Sequence, residues 1–403
     1  MGNHECRSNG VRTARLQFSS MSRQLRIALV VDPFRLQRTA GDHAPNVALE
    51  LLGRGHLVRG FGSRGSIPRS GPGPELGGGG LEDGVGIMGF YPDVIVAYDP
   101  LSPAGLVAAR AARKLEAPLL LIDEGHTESA GWIDRSKRYL GECLWGSWVR
   151  RRTSSVVALD GAALGMALES GFDPGRVTVL PSGVDLERYR PGLTTHILAR
   201  HGVRGRVLLC TQKLEAESGL EELIRAFASS VGRRGDWSLV FAAEGPHRNR
   251  LRAEAFRLGI GGQVHWLGKP RREELPGLLG ARTLYVAPCL DRDYTGWRLR
   301  RALAAGLPMI VEDGPRARTW VDDDASGLLV ARGNGEAWTE ALRLAVGSPE
   351  RRRRWGTHAR KIAEENFSWS SIGEQFESLL VAQVEASCRE AQPATETREA
   401  PAS

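Results

Sequence analysis

Lysine is scarce in this sequence. Of its 54 basic residues only five are lysine: Lys114, Lys137, Lys213, Lys269 and Lys361. The net charge of +7 therefore rests on arginine. The arginines are dispersed rather than gathered in a stripe with interleaved aromatics, which argues against a nucleic-acid partner. Cysteine is scarce too. Cys6, Cys143, Cys210, Cys289 and Cys388 are odd in number and widely scattered. With no CxxC and no Cys/His ligand spacing, neither a disulfide framework nor a structural zinc is expected, and a reducing cytoplasm fits best. Long apolar runs are missing as well. The longest, Ile27–Val31 and Leu119–Ile122, are strand-sized against the roughly 18–20 residues of a membrane span. The first 21 residues hold no apolar stretch of the signal-peptide kind. Met1-Gly2 opens like a myristoylation signal, but Cys6 stands where Ser or Thr belongs. Met21, just before the first strand-like run, is an alternative start.

What the chain does have is alternation. Its 403 residues suggest two domains at roughly 100–200 residues each. Short β-branched runs at 26–32, 93–99, 118–123, 155–159 and 177–180 predict strands. Helical patterns near 45–54, 103–115, 133–151 and 161–170 separate them. The pattern then restarts, with strands at 207–210, 238–242, 264–267, 283–287, 308–311 and 328–330. Helices are expected near 219–231, 247–258, 272–279, 297–305 and 335–346, and terminal ones near 349–365 and 369–384. Such βα alternation means parallel sheets covered on both faces, here two doubly wound halves. The expected division is 22–190 and 191–368, hinged near Pro181–Gly192, with 1–21 and 387–403 as disordered ends. Residues 62–89, with eleven glycines and three prolines, read as a flexible surface loop, and its Gly71-Pro72-Gly73 is a weak nucleotide-loop match because no strand pattern leads into it and no helix pattern follows.

Open α/β sheets bind ligands at the carboxyl ends of their strands. In the second half that rim collects Lys213, Glu244 and Gly245, Leu267 to Lys269, and Asp293, Thr295, Gly296 and Trp297 before a helix. A glycine opening a helix lets free amides approach a phosphate, and the helix dipole favours the anion. Lys213 can neutralise a further phosphate oxygen. Arg301 falls on the same helical face as Trp297, and Asp293 can accept hydrogen bonds from sugar hydroxyls. These residues suit a nucleotide diphosphate carrying a sugar.

Several strings carry a resemblance. LPSGVDLERYRP (Leu180–Pro191) resembles the interdomain signature of family-4-type (group 1) retaining glycosyltransferases of the GT-B fold. RGH at 54–56, GLEELIRAF (Gly219–Phe227), EGP at 244–246, WLG at 266–268, RALAAGLPMIVEDG (Arg301–Gly314), GLLV (Gly327–Val330) and FSW (Phe367–Trp369) keep the family's order, over roughly 24–385. The resemblance implies two Rossmann-like domains facing a cleft, with a last helix, 369–386, crossing back to the first. It implies a nucleotide-sugar donor in the second domain and a glycan or lipid-linked acceptor at the first. It also implies transfer with retention, no metal and no cofactor, because amides and basic side chains stabilise the leaving diphosphate.

The donor motif departs from the family. Its paired glutamates fall on Asp293 and Arg301, and Arg has five donors and no acceptor. Its Arg and Lys pair falls on Lys213 and Ser218. Its first-domain histidine falls on Glu124, with His126 two residues later as a substitute, and its glycine-rich turn is reduced to Gly41. Asp293, His126 and Glu124 are the catalytic candidates. Gly41, Lys213, Glu244, Gly245, Leu267, Lys269, Thr295, Gly296, Trp297 and Arg301 are the donor-binding ones, and no metal ligands are expected. Two rival readings stand beside a transferase: a catalytically impaired GT-B module that binds sugar, nucleotide or a partner protein, and a phosphorylase or epimerase on the same fold. The segment 135–152 carries basic ends with Leu140, Leu144 and Trp148 on one stripe. The stripe is expected to face the core, with peripheral membrane contact as the alternative.

Overall fold

The computed structural model describes residues 23–31, 43–62, 79–80, 84–98, 102–123, 140–232, 236–281, 283–289 and 296–391. The first domain runs β1 (Arg26–Val30), α1 (His43–Gly53), β2 (Leu57–Gly62), β3 (Gly79–Gly80), α2 (Val85–Phe90), β4 (Val94–Tyr98), α3 (Pro103–Leu115) and β5 (Leu119–Asp123). A π-helical turn (Glu142–Gly146), α4 (Ser147–Arg152), β6 (Ser155–Ala158), α5 (Gly161–Glu169) and β7 (Val177–Val179) complete it. Its strands are all parallel, in the order β3-β2-β1-β4-β5-β6-β7. Strands β4 (VIVAY) and β5 (LLLID) are buried along their whole length. Lying in the middle of a sheet covered on both faces, they show no polar alternation. Helix α3 starts where Ser102 accepts a hydrogen bond from the Gly105 amide at 3.1 Å and Pro103 takes the first position.

The second domain runs α6 (Ile197–Arg200), β8 (Arg206–Cys210), α7 (Leu220–Ser230), β9 (Trp237–Phe241), α8 (Arg248–Arg257), β10 (Val264–Trp266) and α9 (Leu275–Gly280). It continues β11 (Leu284–Ala287), α10 (Trp297–Ala304), β12 (Met309–Glu312), α11 (Pro315–Trp320), β13 (Gly327–Val330), α12 (Gly335–Gly347) and α13 (Pro349–Asn366). The strand order is β10-β9-β8-β11-β12-β13, again parallel. In each sheet the order reverses beside the domain's first strand, between β1 and β4 and between β8 and β11. Ligands of doubly wound sheets bind at such switch points.

Helix α14 (Trp369–Ala391) returns to the first domain. Its Ile372, Phe376, Leu380 and Val384, spaced by four, enter the core formed with β1, β4 and α1. Each such buried side chain contributes roughly 1.5–3 kcal/mol. Glu377 on the same helix meets Arg54 at 3.2 Å and His56 at 3.0 Å, while His56 Nδ1 accepts the Leu25 amide. The RGH string thus ties α1 to α14. The segment between the domains is pinned from both sides. The Val184 amide donates to the Phe367 carbonyl at 2.7 Å, and a Cβ on Gly183 would stand 2.6 Å from the Trp369 ring. Arg360 Nη1 reaches the carbonyls of Leu186, Tyr189 and Ala304.

Four expectations need adjustment. A strand, β2, leads into the glycine-rich stretch, and its Phe61–Gly62 pairs with Gly79–Gly80. A helix, α2, forms the end of the stretch, with Gly84 left-handed at φ 73° before it and Ile87 buried in the core. Neither shows in the sequence, because Arg59, Gly60 and Gly62 interrupt β2 and α2 holds only one buried anchor. Helix α14 runs past residue 386 to Ala391. Val184 and Tyr189 already pack in the second domain's core, before residue 191. Finally, Leu140 and Leu144 do not face the core: they are 55% and 65% exposed, while Trp145 and Trp148 pack against it. The π-helical turn shifts the phase of the stripe between them.

Candidate functional site

Two loops meet at the switch point of the second sheet. One comes after β8 (211–219); the other comes after β11 and opens α10. Gln212 joins them: its Nε2 donates to the Ser218 carbonyl at 2.8 Å, and its Oε1 accepts the Cys289 amide at 3.1 Å. A Cβ on Gly219, at φ +68°, would lie 3.0 Å from Pro288. The loops therefore form one wall. Lys213 projects from it, 54% exposed, with its ammonium paired to Glu215. Ser218 is buried and its hydroxyl donates to the Glu215 carbonyl at 2.6 Å. The position that carries the family's second cation is thus turned into the loop.

The loop after β9 leans on the same wall. A Cβ on Gly245 would fall 2.2 Å from the Leu214 carbonyl oxygen, and the Leu214 amide donates to the Glu244 carbonyl at 3.0 Å. Gly245 is thus required by a close approach of two backbones. Gly268, left-handed at φ +72°, turns the chain after β10 so that its missing Cβ points 3.5 Å from Glu244 Oε1. Leu267 packs in the core and Lys269 is exposed.

Helix α10 begins at Gly296, left-handed at φ 55°. A Cβ there would stand 1.7 Å from the Trp320 ring, so only glycine fits. The helix then presents Trp297, Arg298, Leu299, Arg300 and Arg301. Cations in the first turns of a helix oppose its dipole; aromatic faces offset part of that cost. Arg298 lies 4.7 Å from the Trp297 centroid and Arg301 4.4 Å, while Arg301 is also 5.0 Å from Tyr189. Guanidiniums and rings alternate in a column from α10 to the interdomain segment. Arg300 is buried, 5.4 Å from the Trp320 ring. The spacing of Trp297 and Arg301 was visible in the sequence; the column, Gln212, Arg300 and Trp320 were not. Burial pushes the Cys210 thiol at the end of β8 up to about 12, and the charge of Arg298 works the other way.

Across the cleft, His43 opens α1. Its Nδ1 lies 2.9 Å from the Tyr98 hydroxyl at the end of β4, and its ring meets Trp369 edge-on at 5.8 Å. Burial first, and the charge of Arg300 second, lower its pKa to about 3. His43 is therefore neutral at ordinary pH, and Arg300 is the point where the second domain's field reaches the first. Gly41, Glu124, His126, Asp293 and Thr295 lie outside the described residues. Among the described residues no group of His, Cys, Asp and Glu is arranged to hold a metal ion, and no helix is long and apolar enough to cross a membrane.

Comparison with known proteins bears on the fold. Residues 200–362 match the family model described as "Glycosyl transferases group 1". A GDP-mannose-dependent alpha-(1-6)-phosphatidylinositol monomannoside mannosyltransferase of Mycolicibacterium smegmatis is 28% identical over 307 residues, 72% of this chain and 76% of that protein. A D-inositol 3-phosphate glycosyltransferase of Nocardia farcinica is 30% identical over 213 residues, 51% of this chain and 47% of its own length. Among solved structures, a glycosyltransferase from Rickettsia africae superimposes with TM-score 0.67 over 90% of this chain and 100% of its own, at 15% identity. An Anabaena protein, Alr3699/HepE, in complex with UDP does so with TM-score 0.60 over 89% of this chain and 100% of its own, at 17% identity. The chain has the GT-B fold, and its residues 200–362 resemble a group 1 glycosyltransferase domain.

Proposed function

We propose that this glycosyltransferase moves a hexose from a nucleotide-diphosphate sugar to a glycan or lipid-linked acceptor, with retention of configuration, in the manner of the family-4 type. The observation that carries the reading is the opening of α10. There Gly296, over Trp320, opens the helix at the switch point, where the first backbone amides of a helix have no partner within it, and Lys213 stands after the neighbouring strand β8. Those amides and Lys213 take the diphosphate, and the developing charge on the leaving group is stabilised where it forms. Asp293 takes the sugar hydroxyls, and Glu124 or His126 faces the reacting carbon from the first domain. Glu244 and the turn at Leu267 to Lys269 line the nucleoside, and Gly41 lies toward the phosphates. The scheme needs no metal or cofactor. Among donors, GDP-mannose is the first to test, since relatives are named for it. Leu140 and Leu144, exposed ahead of Arg150, Arg151 and Arg152, support a peripheral membrane contact for a lipid-linked acceptor.

The second reading, a module that binds nucleotide without transfer, is favoured by Ser218 and Arg301. The first is folded inward and the second is held in the aromatic column, so neither family contact is made. One experiment tests both. Calorimetry with GDP, UDP and ADP is run beside donor hydrolysis and transfer assays with the matching nucleotide sugars. Binding with turnover supports the transferase. Binding without turnover for any donor supports the module. Lys213→Ala is expected to weaken diphosphate binding roughly ten- to a hundredfold, the range of a charge-assisted hydrogen bond. No binding of any nucleoside diphosphate to folded protein overturns both.

A further inference from the structure

At the amino ends of β6 and β7, on the opposite side of the first sheet from the cleft, lies a cavity of about 320 Å³. Its lining includes Ser147, Arg150, Arg151, Thr153, Asp173 and Arg176. Two of its arginines are held in place by the protein. Arg150 pairs with Glu142, and Arg176 Nη1 donates to the Thr153 carbonyl at 3.1 Å. The Thr153 hydroxyl in turn donates to the Val149 carbonyl at 2.8 Å, which fixes that corner to the end of α4. A guanidinium has five N–H donors, so Arg150 and Arg176 each keep donors beyond these contacts. Arg151 is exposed and makes no ion pair or hydrogen bond among the described residues. Asp173, the lone carboxylate of the lining, spends Oδ1 on the Gly175 amide at 3.0 Å and stands 3.8 Å from Arg176.

Fold stability explains part of this arrangement. Cations in the last turn of α4 complement its dipole, and Arg176 ties β7's approach to α4. It does not explain three guanidiniums around one concavity, where Glu142 and Asp173 answer two of them and Arg151 is left unpaired among the described residues. We infer that this cavity binds the phosphate group of a phosphate ester. Guanidinium forks match phosphate oxygens, and two of the three are already immobilised, so less side-chain entropy is lost on binding. The ester is either a small soluble molecule or a phospholipid headgroup. The second source has support in Leu140 and Leu144, exposed by 55% and 65% on the segment that leads into α4. The site stands apart from the cleft and does not depend on the transferase reading.

The test uses the full chain and two probes. Glycerol 3-phosphate is titrated calorimetrically, and sedimentation is measured with vesicles of phosphatidylglycerol and of phosphatidylcholine. Arg151→Glu reverses one exposed charge without touching the core. Arg353→Glu makes the same change on an exposed residue of α13 in the other domain. Binding of glycerol 3-phosphate that weakens at least tenfold in R151E but not in R353E supports a soluble ester. Binding confined to phosphatidylglycerol vesicles, with the same selective loss, supports a headgroup. Failure of both probes to bind, or equal weakening by the two substitutions, or none by R151E, overturns the inference.

Discussion

At the switch point of the second sheet stand Lys213, Arg298 and Arg300, with a left-handed glycine opening the helix that carries two of them. At the matching place in the first sheet stand His43 and Tyr98, hydrogen-bonded to each other and closed in by Trp369. The strand order reverses in the same way on both sides. Among the described residues the difference lies at and beyond the strand ends: cations and a helix opening on one rim, a buried histidine and tyrosine on the other. Such an asymmetry suits a reaction in which one partner carries a diphosphate and the other does not. It also shows how one rim acts on the other. Arg300 belongs to the second domain, yet its charge helps to keep the histidine of the first unprotonated.

The comparison is broken most severely at Gly296. Gly296→Ala places a Cβ 1.7 Å from the Trp320 ring and asks for φ +55° from a residue with a side chain. Strain and overpacking together are expected to cost about 3 kcal/mol or more. Thermal unfolding should show a markedly lower midpoint, and calorimetry the loss of nucleoside diphosphate binding. Adding Trp320→Leu should return part of the stability by making room for the methyl group. A fully stable G296A that still binds nucleotide would mean that the helix opening is not the phosphate cradle.

Much of this rim was legible in the sequence. Lys213, Gly245 and Gly296 fall after apolar runs whose lengths mark strands, and strand ends are where a doubly wound sheet binds. What each glycine serves was not legible: Gly245 answers to the Leu214 backbone and Gly296 to Trp320, and neither neighbour is near in the chain. Ser218 and Gln212 show the same limit. Their residue types announce a lost cation and a polar loop, but the bonds to Glu215 and Ser218 depend on how that loop is folded, and the one to Cys289 joins residues 77 positions apart. On the first rim, His43 marked only a helix start. Its burial depends on Tyr98 and Trp369, which join it from distant parts of the chain.

The neutral rim can be probed by pH. His43 titrates near 3 in the folded protein and near 6.5 when unfolded. Between these values the unfolded chain holds the extra proton, so stability rises with pH and falls as the solution is acidified. The slope is at most about 1.4 kcal/mol per pH unit, so roughly 2 kcal/mol is lost between pH 6.5 and 5. His43→Gln should reduce the slope of urea-unfolding free energies across that interval, leaving the share of His265, whose pKa burial also lowers. Glu254 and Glu274, held low by Arg257 and Arg225 and by Arg271 and Arg200, act in the same direction only below about pH 4.5, the ordinary range of glutamate. Arg300→Met should raise the His43 pKa by a smaller amount, because burial is the larger cause; the histidine ring resonances in an NMR titration report it.

The smallest effect is expected at Arg301, and it separates two accounts of the donor helix. If position 301 faced the nucleotide as the family's glutamate does, Arg301→Glu would restore an acceptor for the ribose and tighten binding. In the structure the guanidinium lies between Trp297 and Tyr189, so its worth is in the column. Arg301→Met then removes two ring contacts of about 0.5–1 kcal/mol each, or about 1 kcal/mol after the methionine repacks. Nucleotide affinity should stay within about twofold of wild type, far less than the loss in Lys213→Ala. Arg301→Glu should be less stable than Arg301→Met, since it sets a negative charge against the negative faces of both rings. Tighter nucleotide binding by R301E at undiminished stability would return this residue to the donor site and leave the column without a role.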